Sequence, residues 1–227
     1  MSRSLPPVEV KVWGDFACFT RPEMKVERVS YDVMTPSAAR NILQAIFWKP
    51  QFDYMIEEIQ VLREIKRLSI LRNEVTHQAS ERSIKKWEEN GDHLFIEHNR
   101  TQRHALVLRD VAYIIKAQIC LRSGVTDNVA KYRDQLRRRV VKGRCFWRPY
   151  LGCREFSAFF GEVEGDEKPI ELSTDLGRML FDLDYDDSKK KSRGEGSPIF
   201  FPARLERGVL DVPSSLYKPL LANKESR

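Results

Sequence analysis

The chain has 227 residues, of which 41% are hydrophobic and 10% aromatic, and this composition suits a folded globular protein rather than a disordered one. Its longest apolar runs break after a few residues, far short of the roughly 20 that a helix needs to cross a bilayer. The N-terminal stretch lacks the apolar segment of a secretion signal, so we expect a cytoplasmic protein that does not contact the membrane. The four cysteines are scattered, without a C-x-x-C pair or a histidine at ligand spacing, which argues against a structural zinc site.

The formal net charge of +6 favours a polyanionic partner. The stretch from Lys131 to Arg148 contains eight basic residues and a single acid, Asp134. A second basic group lies in a proline-containing loop near the N-terminus: Arg21, Lys25 and Arg28. Aromatic residues accompany the first group: Phe146, Trp147 and Tyr150. One such group alone is typical of a solvated surface, but two groups with aromatic neighbours favour phosphate binding.

The first half of the chain shows alternating strand and helix signals. Residues Val8–Val12 alternate strictly, which predicts a half-buried strand. Thr35 and the proline after it predict a helix start, and residues 37–47 place their apolar side chains on one helical face. Phe52–Leu62 again alternates and predicts a strand. The polar stretch from 63 to 110 predicts an inserted hairpin with a mobile loop near 76–92.

The second half repeats this order. Val111–Leu121 predicts a strand, Val129–Lys142 a helix that stops at Gly143, and Cys153–Val163 another strand. Three short strands follow, at Leu176–Tyr185, Ile199–Arg204 and Val209–Val212. Between the first two of these, Asp186–Ser197 is charged and rich in Gly and Ser, which predicts a flexible loop.

These elements predict an α+β protein. Strand, helix, strand, insertion, strand, helix, strand is the ferredoxin-like β-α-β-β-α-β pattern that RNA-recognition folds share. We therefore expect a ferredoxin-like RNA-binding domain over 1–165, with its insertion at about 63–110. A small antiparallel β-sheet over 166–227 is expected to form a second domain.

Common catalytic motifs are not present in the sequence. It has no Walker motif, no dinucleotide-binding glycine pattern, no G-x-S-x-G and no H-E-x-x-H. Four aspartates alternate into a loop: Asp182, Asp184, Asp186 and Asp187. They lack the Gly and Glu of a calcium loop, so a solvated strand end is expected. Chemistry that depends on a metal or a cofactor has little support, whereas an RNA-directed role that needs neither stays open.

Five blocks of the sequence resemble one known family. They are Val10–Tyr31, the stretch 36–50, Arg72–Val75, Val111–Leu121 and Leu151–Phe156. The chain resembles the CRISPR-associated Cas-five family in its subtype I-C (d-type) branch, nearly throughout and in colinear order.

The resemblance implies a processing endoribonuclease that stands in for the Cas-six enzyme of other subtypes. Such a protein binds the CRISPR repeat stem-loop, cuts it at its base and keeps the 5′ handle of the crRNA. It then sits in the Cascade surveillance complex beside the backbone and large subunits, where double-stranded DNA is a possible further ligand. The implied chemistry needs no metal: the ribose 2′-OH attacks the adjacent phosphate and leaves a 2′,3′-cyclic phosphate and a 5′-hydroxyl.

The resemblance also implies a catalytic set of tyrosine, lysine and histidine. The lysine matches Lys116, whereas Phe47 and Gln118 stand at the other two positions. Phe47 has no hydroxyl, and Gln118 cannot exchange a proton near neutral pH. Residues that could replace them by chemistry alone are Tyr31, Lys49, His98 and His104.

Three functions therefore stay open. The chain is an active metal-independent endoribonuclease, a non-catalytic subunit that binds the crRNA handle, or a general RNA-binding protein. The last alternative lacks the aromatic motif of RNA-recognition domains. For Lys116, a lysine that protects a sheet edge is the competing interpretation. Trp48 is expected either to pack at the helix end or to stack on a base.

RNA binding is assigned to basic side chains in the matched blocks and in the second predicted helix. The first set is Arg21, Lys25, Arg28, Lys49, Arg72 and Arg154. Arg137, Arg138 and Arg139 are expected to add general phosphate attraction, so their joint neutralisation should weaken RNA binding and flatten its salt dependence.

Overall fold

The computed structural model describes residues 5–76, 80–91, 93, 95–184 and 196–217. Three α-helices are present in these ranges: α1 Pro36–Ile46, α2 Glu81–Asn90 and α3 Val129–Val141. The strands are β1 Val8–Ala17, β2 Arg28–Val29, β3 Phe52–Val61, β4 Lys66–Val75, β5 Arg100–Leu121, β6 Phe159–Gly161, β7 Thr174–Asp184, β8 Ser197–Glu206 and β9 Val209–Asp211. None of the helices in the described ranges is long and apolar enough to cross a membrane.

The strands form one sheet in the order β6-β1-β5-β3-β9-β8-β7, and β2 and β4 also pair with β5. The pairings are antiparallel except for that of β2 with β5. The chain is thus a mixed α+β protein built on a large antiparallel sheet, which confirms the predicted class. The expected division near residue 165 stays a prediction; β9 pairs with β3, so the C-terminal strands continue the same sheet.

Two helices cover one face of this sheet. The hydroxyl of Thr35 caps α1 by accepting a hydrogen bond from the backbone N–H of Ala38 (3.3 Å). The buried side chains of α1, which include Ile42 and Leu43, contact β3, whereas Leu136 of α3 packs toward β5. Both helices lie within a residue or two of their predicted bounds, because apolar periodicity and caps agree there.

Strand β5 is 22 residues long, twice the length predicted from Val111–Leu121. Asp110 has a left-handed φ of 53°, a conformation that Asp adopts more readily than most residues. Residues 100–109 pair with β4, and residues 113–121 pair with β3. The prediction was too short because residues 100–104 are polar and either exposed or half-buried, which hides the strand period there. Farther along, Ala105, Val107 and Leu108 are buried.

The predicted inserted hairpin is present as β4 and the first half of β5, which we call the arm. The mobile loop predicted near 76–92 is wrong for residues 81–90, which form α2. Ser80 caps this helix, and Gly91 ends it with a φ of 68°. Helix α2 buries none of its side chains, and Ile84 and Trp87 are its only two large apolar residues, so the apolar pattern that could predict it is short.

The strand predicted over Cys153–Val163 is confined to β6. Residues before β6 form a tight turn, in which the backbone N–H of Leu151 donates to the carbonyl of Phe156 (2.7 Å). Gly152 has a φ of 85°, and a Cβ there would lie 2.0 Å from the carbonyl oxygen of Cys18. This close approach requires glycine and turns the chain away from the sheet.

The expectation of a solvated strand end at the aspartates is wrong for Asp182. It is 4% exposed and is paired with Arg40 of α1, because β7 packs against that helix. Asp186, Asp187 and nearly all of the predicted loop Asp186–Ser197 lie outside the described residues.

Candidate nucleic-acid interface

Lys116 and Gln118 share the face of β5 that points away from the helices. Side chains alternate along a strand, and Ile115 and Ala117 lie in the core with the residues of α1 and α3. Lys116 and Gln118 therefore lie two residues apart on the opposite, outer face. The side-chain amide of Gln118 donates to the carbonyl of Leu5 (3.2 Å). Two of the three residues implied by the family resemblance are thus neighbours.

Two carboxylates hold the ammonium group of Lys116. Its Nζ lies 3.4 Å from Glu58 on β3 and 3.5 Å from Glu9 on β1, because both residues stand directly opposite Lys116 in the sheet register. The Lys116 side chain is 24% exposed. Lys116 lies on a central strand rather than at a sheet edge, so the alternative of an edge-protecting lysine is wrong.

Phe47 lies on the other side of the sheet. It is 1% exposed and packs against Phe52 and Tyr132, with ring centroids 5.6 and 6.5 Å apart. The guanidinium of Arg139 lies 5.3 Å from the centre of its ring. The structure therefore does not bring Phe47 to Lys116, and its side chain fills the core between α1 and α3.

The substitute candidates differ in burial and position, and none of them forms a contact with Lys116 among the described residues. Tyr31 is 1% exposed, and its hydroxyl accepts a hydrogen bond from the backbone N–H of Leu180 (3.2 Å). His104 lies on the arm, twelve residues before Lys116 on the same strand, which at the rise of a β-strand is up to about 40 Å. His98 is exposed beside Phe95, and Lys49 is exposed after α1.

Toward the tip of the arm, arginines lie beside acids. Arg72 contacts Glu74 (3.0 Å) and Glu155 (2.9 Å). Glu74 also lies 3.9 Å from Arg28 and 3.4 Å from Arg103. The structure thus brings together the predicted RNA-binding residues Arg28 and Arg72, but within an ion-pair network that already satisfies much of their charge.

The same network contains a thiol with altered acidity. Arg28 donates a hydrogen bond from Nη1 to the sulfur of Cys153 (3.0 Å). A hydrogen bond from Cys18 and the positive charge of Arg28 lower the pKa of Cys153, whereas the pKa of Cys18 is raised by that same hydrogen bond and by burial. Cys153 is 5% exposed, and the guanidinium of Arg28 lies against its sulfur inside the fold.

The N-terminal basic group is spread over a turn. The guanidinium of Arg21 lies 4.5 Å from the ring centre of Tyr31 and 3.9 Å from Glu23. Lys25 is exposed in the turn that follows. Arg21 is thus held in one orientation, whereas Lys25 extends into solvent.

The three arginines of α3 have different surroundings. Arg139 donates to the carbonyl of Ile46 at the end of α1 (2.8 Å). Arg137 is 79% exposed and lies 3.7 Å from Glu162. Arg138 is exposed and donates to the backbone carbonyl of Asp134 (3.2 Å). Arg139 therefore joins two helices, and only Arg137 and Arg138 present their charge to solvent.

An open groove of about 880 Å³ lies beside the C-terminal end of α1. Three large aromatic side chains are exposed there: Trp48 (47%), Phe146 (70%) and Trp147 (70%). Arg148 and Arg154 line the same groove. We call this feature the aromatic groove. It includes Arg154 from the predicted RNA-binding set, and the exposure of Trp48 agrees with the stacking alternative more closely than with packing.

Three acids between β6 and β7 act as a structural anchor. Glu164, Asp166 and Glu167 offer carboxylate oxygens within 4.8 Å of one another. Lys11 on β1 lies 2.9 Å from Glu167 and 4.0 Å from Glu164. The hydrogen bond from Lys11 lowers the pKa of Glu167 to about 2. The cluster is therefore an ion pair that fastens this segment to β1.

Sequence reasoning did not find Glu9 and Glu58 as partners of Lys116, or Cys153 as the partner of Arg28. Alternation places Glu9 on the polar face of its strand, but only the register across three strands brings both acids to Lys116. Arg28 and Cys153 are 125 residues apart, and no local pattern signals their contact.

The fold and these surfaces define an α+β protein whose basic and aromatic side chains suit nucleic-acid binding. The chain belongs to the Cas5d family of CRISPR-associated proteins, because residues 8–213 match the family model described as "CRISPR-associated protein (Cas_Cas5)". The family resemblance recognised in the sequence is therefore confirmed.

Two curated relatives are similar over almost their whole length. The chain is 44% identical over 230 residues to the CRISPR pre-crRNA endoribonuclease Cas5d of Thermus thermophilus, covering 96% of both chains. It is 45% identical over 220 residues to the protein of the same name from Mannheimia succiniciproducens, covering 91% of this chain and 94% of the relative. A solved structure of a CRISPR-associated protein matches with a TM-score of 0.65, 22% identity and 94% coverage of both chains, which shows a shared fold.

Proposed function

We propose that this chain is a CRISPR pre-crRNA endoribonuclease that binds the repeat stem-loop and cuts it without a metal. The observation that carries this proposal is the identity of 44–45%, over nearly the whole chain, to two proteins that bear this activity in their names. The range matched by the family model includes β1, α1 and β5, the elements that carry the candidate site.

The outer face around Lys116 supplies part of the required chemistry. When the 2′-OH attacks the adjacent phosphate, negative charge accumulates on the phosphorane oxygens. Lys116 stabilises that charge after its ammonium turns from Glu58 and Glu9 toward the phosphate. Gln118 exchanges its hydrogen bond to Leu5 for one to a phosphate oxygen. Proton transfers add roughly 10²–10⁴-fold in rate, and Gln118 and Phe47 cannot make them.

A second candidate function follows from the absence of a proton-transferring side chain at positions 47 and 118. The chain then binds the crRNA handle as a non-catalytic Cascade subunit, and another nuclease cuts the transcript. Phe47, buried away from Lys116, and Gln118 favour this alternative. The names of both close relatives favour the enzyme.

Several finer features belong to the same proposal. The strand order β6-β1-β5-β3, with α1 and α3 on one face, supports a ferredoxin-like β-α-β-β-α-β domain with the arm inserted in it. The cut product stays on the protein as the 5′ handle, and the protein acts in the cytoplasm beside the backbone and large subunits of Cascade. Double-stranded DNA is a further possible ligand of its basic surfaces.

The test is cleavage of the chain's own CRISPR repeat RNA in excess EDTA. Parallel substrates carry a 2′-deoxy substitution at each candidate junction. The endoribonuclease predicts one cut that survives EDTA, is blocked by a single deoxy substitution and is slowed by Lys116→Ala but not by Lys66→Ala, a control lysine on β4. Tight binding without a cut would establish the non-catalytic handle-binding subunit instead.

A further inference from the structure

The aromatic groove exposes rings that folding usually buries. Phe146 and Trp147 are each 70% exposed, and their rings meet edge to face with centroids 5.2 Å apart. Their backbone N–H groups both donate to the carbonyl of Ala45, at 2.9 and 3.0 Å. Two rings are thus presented to solvent on a backbone that is fixed to α1, and Trp48 supplies a third ring beside them.

The charges around these rings have one sign. Arg148 and Arg154 line the groove, and none of its lining residues is acidic. Within the described ranges, neither arginine forms an ion pair with a carboxylate, and the same holds for Arg144, which lies just before the groove in the chain. These cations differ from those toward the tip of the arm, where Glu74 and Glu155 already pair with the arginines.

Exposed rings beside arginines that do not pair with a carboxylate suit a ligand with flat apolar faces joined by negative charges. Arg148 also lies 5.5 Å from the ring centre of Phe159. Single-stranded nucleic acid has this chemistry, because its unpaired bases stack on aromatic side chains and its phosphates bind cations. A paired stem offers only phosphates, since its bases are already stacked on one another. The volume of about 880 Å³ holds one or two nucleotides.

We propose that the aromatic groove binds unpaired nucleotides of RNA, with bases stacked on Trp147 and Phe146 and phosphates on Arg148 and Arg154. This inference rests on the proposed function and adds to it a second contact with the transcript, in the single-stranded RNA next to the repeat stem. The groove lies at the end of α1, on the helix-covered side of the sheet, whereas Lys116 lies on the outer face. The two sites therefore contact different parts of one RNA.

The first experiment uses a single-stranded hexaribonucleotide as the probe. Two of the chain's four tryptophans, Trp48 and Trp147, line the groove, so stacking should quench the intrinsic fluorescence. We expect saturable quenching by the hexamer and none by the same hexamer annealed to its complement. A duplex that binds as tightly as the single strand would overturn the proposal.

Paired variants separate stacking from general apolar contact. The double substitution F146A/W147A should weaken hexamer binding at least about tenfold, and F146L/W147L should weaken it similarly because leucine has no ring. F146Y/W147F keeps both rings and should bind within about twofold of the parent. Equal affinity of the parent and the leucine variant would overturn the proposal, as would a groove that captures a protein subunit of the complex but not the hexamer.

Repeat cleavage by the same samples distinguishes the two proposals. If the parent protein cuts its repeat in EDTA and yet fails to bind the hexamer, the groove proposal is wrong and the endoribonuclease stands. If it binds the hexamer with the predicted variant pattern and does not cut, the groove proposal is supported and the chain is the non-catalytic handle-binding subunit. Circular dichroism of each variant verifies folding. We expect every variant to fold, because these exposed side chains contribute little to stability.

Discussion

The ammonium group of Lys116 lies 3.4 Å from the carboxylate of Glu58. The same carboxylate accepts a hydrogen bond of 2.5 Å from the side-chain amide of Gln60, and Glu9 approaches Lys116 from the opposite neighbouring strand at 3.5 Å. Lys116 is therefore a cation between two anions in the free protein. Any phosphate that binds Lys116 must compete with these carboxylates. The two acids should therefore limit both the affinity for RNA and the rate of cleavage.

Removal of the Glu58 charge should strengthen RNA binding. In Glu58→Gln, Lys116 keeps one anionic partner instead of two, so we expect the Kd for the repeat RNA to fall about two- to fivefold at low salt and the salt dependence to steepen. Glu57→Gln on the same strand is the matched control, because Glu57 is exposed and does not pair with Lys116. A weaker complex with Glu58→Gln would show that Glu58 contacts the RNA itself.

A histidine at position 118 should accelerate cleavage. Gln118 lies two residues from Lys116 on the outer face of β5, and imidazole exchanges protons near neutral pH, whereas an amide does not. We expect Gln118→His to cut the repeat at least about tenfold faster than the parent, with a pH dependence near neutrality. Gln118→Met also loses the bond to Leu5 and is the control. Equal rates for the two variants would exclude a proton-transfer role at this position.

The sequence predicted the helices and the central strands because their apolar periodicity and caps agree. Thr35 and the following proline mark the start of α1, and alternation marks β1 and β3. It failed for α2, which buries none of its side chains, and for the first half of β5, where residues 100–104 are polar and either exposed or half-buried. Helix α2 is stabilised by its caps, and the first half of β5 is stabilised by pairing with β4. Neither interaction produces a periodic apolar pattern in the sequence.

The candidate site was predictable only where its residues are close in sequence. Lys116 and Gln118 belong to one strand, so their proximity follows from alternation. The burial of Phe47 depends on how α1 and α3 meet over Phe52, and the position of Glu58 opposite Lys116 depends on a shift in register after Ile56. Neither can be derived from local patterns, because both depend on contacts between distant segments.

The lowered pKa of Cys153, caused first by a hydrogen bond with Cys18 and then by the charge of Arg28, should make stability depend on pH. The pKa of Cys153 is below its ordinary value of 9.0 in the native state, so between these two values the native protein binds fewer protons than the unfolded one. The stabilisation that this lowered pKa adds to the native state is complete above pH 9.0. It is lost as the pH falls through the lowered pKa. The free energy of unfolding should therefore rise with pH across this window, by at most about 1.4 kcal/mol per pH unit.

Urea unfolding from pH 6 to 9 under reducing conditions measures this slope. We expect Cys153→Ser to remove the rise, and Arg28→Gln to reduce it because the guanidinium no longer stabilises the thiolate. Cys145→Ser is the control for loss of a thiol. Parallel stability curves for the parent and Cys153→Ser would refute an ionised Cys153 in the native state.

The arginines of α3 should separate into one structural and two RNA-binding residues. Arg139 bonds to the carbonyl of Ile46 and stacks on Phe47, so Arg139→Ala should destabilise the protein by about 1–2 kcal/mol. Arg137 and Arg138 point to solvent, and R137Q/R138Q should leave stability within about 0.5 kcal/mol. The double variant should lower the slope of log affinity against log salt by about 1–2, the value expected for two lost phosphate contacts.

The acid that pairs with Arg137 provides a control of opposite sign. Glu162 lies 3.7 Å from Arg137, and Glu162→Gln leaves that guanidinium free for phosphate, so the salt slope should steepen rather than flatten. Affinity measured from about 50 to 200 mM salt resolves both changes. An unchanged slope in R137Q/R138Q would remove this end of α3 from the RNA surface, and a flatter slope in Glu162→Gln would show that the acid orders Arg137 for binding rather than competing for it.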